Sequence, residues 1–192
     1  MDKCKMALSK KSSLSYFKYS LAHHDMKPMV MKKSAPPLCA LALLIFASYP
    51  AMADTTLPTG GTVVSGAASI NTNANSLTVN QSTQNAAINW NSFSVGSEAS
   101  VNFVQPSTSS ITLNRVTGSE QSIINGSLNA NGQVFLLNSN GVLIGNGASI
   151  NAGGVVASSM SMSDDDFNAG NYVLNNNSST ASVINQGTIT AS

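Results

Sequence analysis

Two apolar runs too short to be helices, joined by an Asn- and Gly-bearing turn, constrain this chain more than any other feature. In Asn131–Asn151, NGQVFLLNSNGVLIGNGASIN, the runs Val134–Leu137 and Val142–Ile144 flank Asn138-Ser139-Asn140-Gly141. A third β-friendly piece, Ala148-Ser149-Ile150, follows Gly145-Asn146-Gly147. Apolar runs of three or four residues, each cut off by Asn and Gly, read as buried strands joined by tight turns. Asn and Gly are the residues that tolerate positive φ, so a chain that turns every few residues uses them at its corners.

The same grammar runs from Gly61 onwards. Gly61–Gly66 and Ala68–Ile70 predict the first strands, Asn71–Asn75 a turn, and Ser76–Asn80 an alternating strand. Ala87–Gly96 alternates over a longer span, but parity breaks between Trp90 and Phe93, which predicts a bulge or bend. Val101 with Phe103, and Ile111 with Leu113, mark two more strands on either side of Gln105-Pro106-Ser107. No stretch carries a sustained 3.6-residue stripe. Ser163 before Asp164-Asp165-Asp166-Phe167 predicts one capped helical turn and no more.

Some segments resemble one another. Ser122–Ala130 (SIINGSLNA) matches Ser182–Ala191 (SVINQGTITA), and Ala148–Ala157 is a looser third copy. Weak repeats of short strands and Asn/Gly turns predict a solenoid, in which each coil buries its face only against its neighbours. A β-sandwich also has closely spaced short strands. The internal likeness, and the lack of hairpin dipeptides between matched strands, favour the solenoid. Stacked coils place like on like about 4.8 Å apart, so Val, Ile and Leu fill a narrow core and corner Asn residues ladder their amides. The strands between Gly61 and Phe103 are expected to cap the first coil, because an open solenoid end templates aggregation. Thr188–Ser192 stops in mid-pattern, which suggests a fragment followed by further coils.

Composition divides sharply by position. Every Lys, both His and both Cys precede residue 54. Lys32-Lys33, the apolar run Leu38–Ala47, Pro50 and then Ala51-Met52-Ala53 make the three regions of a secretory signal peptide, with cleavage expected after Ala53. The run is short for a membrane span. Met1, Met26, Met29 and Met31 are all candidate starts. The two expected regions are thus 1–53, extension and leader, and 54–192, a single β domain. That domain has one basic side chain, Arg115, against Asp54, Glu98, Glu120, Asp164, Asp165 and Asp166, a formal net charge of −5. Nucleic-acid and anionic-membrane binding need clustered Lys and Arg, which argues against both. Without Cys or His it can form no zinc site of those ligands, no Cys–His pair and no Ser–His–Asp triad. A missing disulfide in an exported chain leaves stability to packing and hydrogen bonds.

Ile88–Gly96 (INWNSFSVG), Val101-Asn102-Phe103, Leu113–Gly118 (LNRVTG), Gly132–Val142 (GQVFLLNSNGV) and Ile144-Gly145 together resemble the secretion domain of two-partner-secretion exoproteins. These are the filamentous-haemagglutinin and high-molecular-weight adhesin-like proteins. Several ordered motifs carry the resemblance over essentially all of residues 54–192. One position departs: the family's turn is Asn-Pro-Asn-Gly, and here Ser139 stands where Pro is expected. Ser fits a type I turn but does not preset φ.

The resemblance implies a right-handed parallel β-helix with an N-terminal β cap. It also implies a function as the secretion and targeting module of a large surface adhesin. The chain would cross the inner membrane by the Sec machinery. A cognate outer-membrane β-barrel transporter with periplasmic POTRA domains would then recognise it, and it would fold outside the cell. Any host-cell receptor or glycan falls to the body of a longer protein. No cofactor, metal or catalytic residue is implied.

The candidate recognition or fold-defining residues are Asn114, Arg115, Asn138, Asn140 and Gly141. Arg115 is read as the partner of Glu98 or Glu120, because an unpaired charge near a core is costly. Asn138–Gly141 is either a turn that closes the strands or a feature read by the transporter. Asp164–Asp166 fits a solvated corner better than a calcium site, and Trp90 and Phe93 fit the core or cap. Two other functions compete. A β-helix polysaccharide lyase or hydrolase needs converging acids or a basic group, and this composition lacks them. A stand-alone carbohydrate- or matrix-binding adhesin would bind through this segment itself.

Overall fold

The computed structural model describes residues 53–192; the expected leader, with its candidate starts and its apolar run, lies outside them. From Pro58 on, the chain is fourteen short strands and one helical turn. The strands are β1 (Thr62–Ser65), β2 (Ala68–Asn73), β3 (Ser76–Gln81), β4 (Asn85–Trp90), β5 (Ser100–Val104), β6 (Ile111–Val116) and β7 (Ser122–Ile124). They continue with β8 (Ser127–Ala130), β9 (Gln133–Asn138), β10 (Val142–Ile144), β11 (Ser149–Ala152), β12 (Gly154–Ser158), β13 (Val183–Asn185) and β14 (Thr188–Ala191), with α1 (Asp164–Asn168) between β12 and β13.

These strands wind into a parallel β-solenoid of about three coils with three faces. The first face runs β2-β3-β5-β8-β11-β14, the second β1-β4-β6-β9-β12, and the third β7-β10-β13. Ser76, Ser100, Ser127, Ser149 and Thr188 stack in register, so the stacked strands of this face start 24, 27, 22 and 39 residues apart, the first interval leading from the capped edge strand β3. Inward side chains form columns, such as Leu77, Val101, Leu128, Ile150 and Ile189. The alternation seen in the sequence is this choice of inside and outside. Leu77, Val79, Val101 and Phe103 are buried in a single core with Ile88, Trp90, Leu136 and Ile144. The parity break after Trp90 is a corner: β4 ends there, and Ser92 and Val95 make isolated bridges to Thr59 and Ile124. Trp90 and Phe93 are both buried in the core and meet edge to face, with ring centroids 5.5 Å apart.

Four sequence-based expectations are corrected. First, the cap is smaller than Gly61–Phe103. Only β1 and β2 run antiparallel, on β4 and β3 respectively, while β3 and β4 already stack parallel on the next coil. Second, the turn predicted at Asn71–Asn75 is only Ala74-Asn75: Asn71–Asn73 belong to β2, which pairs with β3 as a matched hairpin. Its two-residue loop, Ala74-Asn75, has no positive φ, so it is not one of the primed turns that Asn-Gly or Asp-Gly announces. Third, the looser repeat starts half a copy late. Ser149–Asn151 stack on Ser127–Asn129, the second half of Ser122–Ala130. Fourth, the amide ladder lies along a face and not at the corners: Asn151 Nδ2 donates to Asn129 Oδ1 at 3.4 Å, and Asn129 Nδ2 to Asn102 Oδ1 at 3.1 Å.

The 39-residue coil holds a feature that strand patterning does not foresee. Residues 159–182 leave the solenoid and lie as a strap over the outside of the second face. Met162, Phe167 and Leu174 pack there on outward-pointing Ala87, Ile111, Leu113, Phe135 and Leu137, forming a second apolar cluster. Tyr172 adds edge-to-face contact with Phe135 at 5.6 Å. Buried on both sides, β9 therefore reads Val-Phe-Leu-Leu with no polar alternation, as two-sided burial requires.

Candidate functional site

The five candidate residues fall on adjoining strands at one edge of the second face, but they point three ways. On β6, Asn114 and Arg115 are neighbours and so face opposite sides of the sheet. Asn114 points into the core and is fully buried. Its Oδ1 accepts from Trp90 Nε1 at 3.0 Å, and its Nδ2 donates to the carbonyls of Thr112 and Phe135 at 3.3 Å each. A single amide thus satisfies the indole N–H and braces its own strand against the next coil. An indole N–H buried without an acceptor would cost about 1–3 kcal/mol.

Arg115 points outward to the strap. Nη1 donates to Asn89 Oδ1 at 2.9 Å, and Nη2 to the Met162 carbonyl at 2.9 Å and to Asp164 Oδ1 at 2.8 Å. The expected partners Glu98 and Glu120 are not used; Asp164, 49 residues downstream, makes the ion pair that is the sole one among the described residues. The reason is geometric: on a parallel coil a side chain meets what lies across its own face, and here that is the strap. The capped turn predicted at Ser163 brings Asp164 into place. Ser163 Oγ accepts from Asp166 N at 3.0 Å, and α1 lasts five residues. Asp164 is therefore a tether and the half-buried Asp166 accepts from Ser163 Oγ at 2.6 Å, so only the exposed Asp165 matches the solvated corner expected of the acidic run.

Asn138 and Asn140 hold the corner after β9. Asn138 is buried and uses its whole hydrogen-bonding capacity. Nδ2 donates to Glu120 O and Ser122 Oγ, both at 2.9 Å, and Oδ1 accepts from the Asn140 backbone at 2.9 Å and from Asn140 Nδ2 at 3.2 Å. Asn140 Nδ2 also reaches the Gly118 carbonyl at 2.9 Å. Both amides therefore stitch this corner to the Gly118–Ser122 corner of the preceding coil. Gly141 N closes the turn on the Asn138 carbonyl at 2.9 Å, with φ +95° at Gly141 and negative φ at Ser139 and Asn140. That fits a type I turn with Gly in the fourth place, which Ser139 accommodates without the Pro. The coil after covers the turn: Ser179 Oγ donates to the Ser139 carbonyl at 2.6 Å, and Val142 N to Ser182 O at 3.1 Å.

A second buried polar knot, at the corner between the first and second faces, has no counterpart among the candidates. Thr112 Oγ1 donates to Gln81 Oε1 at 2.6 Å and accepts from Gln105 Nε2 at 3.0 Å; Gln105 Oε1 takes the Gly132 N–H at 2.8 Å. The available signal was Gln at the end of an alternating strand before a turn, where a long amide can fold back onto coil carbonyls. Among the described residues no buried side-chain polar atom lacks a partner. None of these groups pairs a nucleophile with a base. The arrangement does one thing chemically: it fixes the register of coil on coil.

Comparisons with known proteins match this geometry. A family model described as the TPS secretion domain covers residues 52–192. A heme/hemopexin-binding protein of Haemophilus influenzae strain Rd is 45% identical over 111 residues, 58% of this chain. A second Haemophilus influenzae heme/hemopexin-binding protein is 36% identical over 116 residues, 60% of this chain. The matched stretch is 12% of the length of each of these relatives. The crystal structure of the HMW1 secretion domain from Haemophilus influenzae superposes with a TM-score of 0.66 at 35% identity, covering 70% of this chain and 36% of that one.

Proposed function

The chain belongs to the TPS secretion domain family, and from that membership we propose that it is the targeting module of a large exoprotein delivered to the cell surface or the medium. The Sec machinery takes it through the inner membrane, and the leader is removed after Ala53. A cognate outer-membrane transporter, through its periplasmic POTRA domains, then recognises residues 54–192. The observation that carries this reading is the family match over the whole solenoid, 52–192. Fold and family are those of a secretion domain and not of an enzyme.

The physical properties support the route. Residues 54–192 contain no Cys, so no disulfide closes a loop that must thread a pore. One cation and six acids leave little charge to be held in transit. The inward apolar columns of each coil pack only on neighbouring coils, so the core can build coil by coil as the chain emerges, with the strap closing over the second face last. Asn114, Asn138, Asn140, Gly141 and Arg115 serve recognition through the fold they fix. The body of the longer protein carries the adhesin function.

The test is co-expression of the chain, leader included, with its cognate transporter. Appearance of residues 54–192 in the medium only when the transporter is present is the expected result. Release at the same level without it overturns the proposal.

A further inference from the structure

The outside of the first face has a chemistry that neither packing nor export uses. Its outward positions form rows across the strands: Ser76, Ser100, Ser127, Ser149 and Thr188 in one, and Thr78, Asn102, Asn129, Asn151 and Thr190 in the next. The ladder consumes one donor and one acceptor of Asn129; Asn102 accepts from Asn129 and donates to Ser76 Oγ at 3.3 Å, while Asn151 donates to Asn129 and to Ser149 Oγ at 3.2 Å and leaves its Oδ1 free. An amide offers two donors and two lone pairs, so Asn102, Asn129 and Asn151 keep hydrogen-bonding capacity towards solvent at the strand repeat of about 4.8 Å.

Beside this row runs an open trough of about 720 Å³. Asn102, Asn129 and Asn151 form one side, Thr108 rises from the loop before β6, and Val104 adds an apolar wall that is 52% exposed. No charged side chain lines it. Arg115, the one basic residue of 53–192, lies on the second face and is paired with Asp164.

We propose that this trough binds a neutral polysaccharide strand, laid across the β-strands along the Asn102–Asn129–Asn151 ladder. An extended β-linked hexose chain presents hydroxyls that donate and accept at a repeat close to the strand spacing, and its rings present C–H faces to Val104. Charge selects the class. A uronic acid or sulfated polymer would bring anions to a trough that supplies no cation, and the net charge of −5 would repel them.

Titration calorimetry of the exported chain with cellohexaose, chitohexaose and an oligogalacturonate of equal length tests this. Asn129→Asp and Val104→Asp, at outward-facing positions, serve as variants, with thermal unfolding to show that both remain folded. One of the neutral hexamers is expected to bind, the oligogalacturonate at least tenfold more weakly. Asn129→Asp should lower affinity about tenfold, the size of one lost hydrogen bond, and Val104→Asp by a similar factor through loss of the apolar contact. Three results overturn the proposal: no heat from either neutral hexamer at millimolar concentration, equal binding of the charged oligomer, or affinity untouched by both substitutions. Concentration-dependent self-association that the same substitutions abolish would also overturn it, and would make a second copy of the chain the occupant.

Discussion

Two glycines separate the cost of a turn from the cost of stacking one coil on the next. Gly141 and Gly147 have nearly the same backbone conformation, φ +95° and +94°. An added Cβ at Gly147 meets nothing within 4 Å, whereas at Gly141 it falls 2.8 Å from the Ser182 carbonyl oxygen and 3.4 Å from Ala181 Cβ. Positive φ costs a residue with a Cβ about 1–2 kcal/mol, so Gly147→Ala should lose that much stability. Gly141→Ala pays the same and must also move Ser182, whose carbonyl accepts the intercoil bond from Val142 N. Straining that bond adds about 1 kcal/mol, for a total of about 2–3. Gly141→Val should be worse, because a β-branched residue resists this region most. Urea unfolding of the exported variants, at unchanged m-value, measures both costs. Losses equal within about 0.5 kcal/mol, the usual limit for telling such values apart, would refute the idea that coil contact constrains this turn. Measuring export alongside separates fold from recognition: if the turn acts only through the fold, secretion should follow stability across the three variants.

Three further outcomes follow from the same geometry. Asn114→Leu keeps the volume but orphans the Trp90 indole N–H, so it should destabilise by about 1–3 kcal/mol; Trp90 is the sole tryptophan, so its emission reports the change directly. Arg115→Ala should cost about 1–2 kcal/mol, the half-exposed Asp164 contributing least. It should also expose 159–182 to limited proteolysis while amide exchange in β5 and β8 stays slow; uniform loosening would argue against a separate strap. Asp54 is held below its ordinary value of 3.8 first by the Thr56 hydroxyl, then by the Thr56 N–H. A lowered carboxyl pKa gives support that is complete above the unfolded value and disappears as pH falls through the folded one. Amide exchange at Gly96 and Glu98, which bond to the Thr56 and Asp54 carbonyls, should therefore accelerate below about pH 4, and less so in Thr56→Val.

Much of the fold is legible in the residues because a solenoid is built from near neighbours. Strand existence follows from apolar alternation, and the corner after Trp90 from a parity break. The Ser163 cap follows from one hydroxyl before three acids. The site is less legible. Asn138 and Gly141 announce a turn, yet nothing local says that the Asn138 amide reaches Glu120 and Ser122, or that Asn114 holds an indole. Gln81 and Gln105 pass for surface residues, since only the closed corner turns their amides inward.

The sequence by itself determined the β class, the coil-like repetition, the inward columns and the Asn–Gly corners, because each depends on periodicity within one coil or between adjacent coils. Only the tertiary structure decided that β1 and β2 alone form the cap, that a strap covers the second face, and that Arg115 binds Asp164 instead of Glu98 or Glu120. Those three carboxylates carry the same charge and the same acceptor oxygens. They differ in where the winding of the chain places them, and a charge at a half-buried site pairs with the one that arrives within hydrogen-bonding distance.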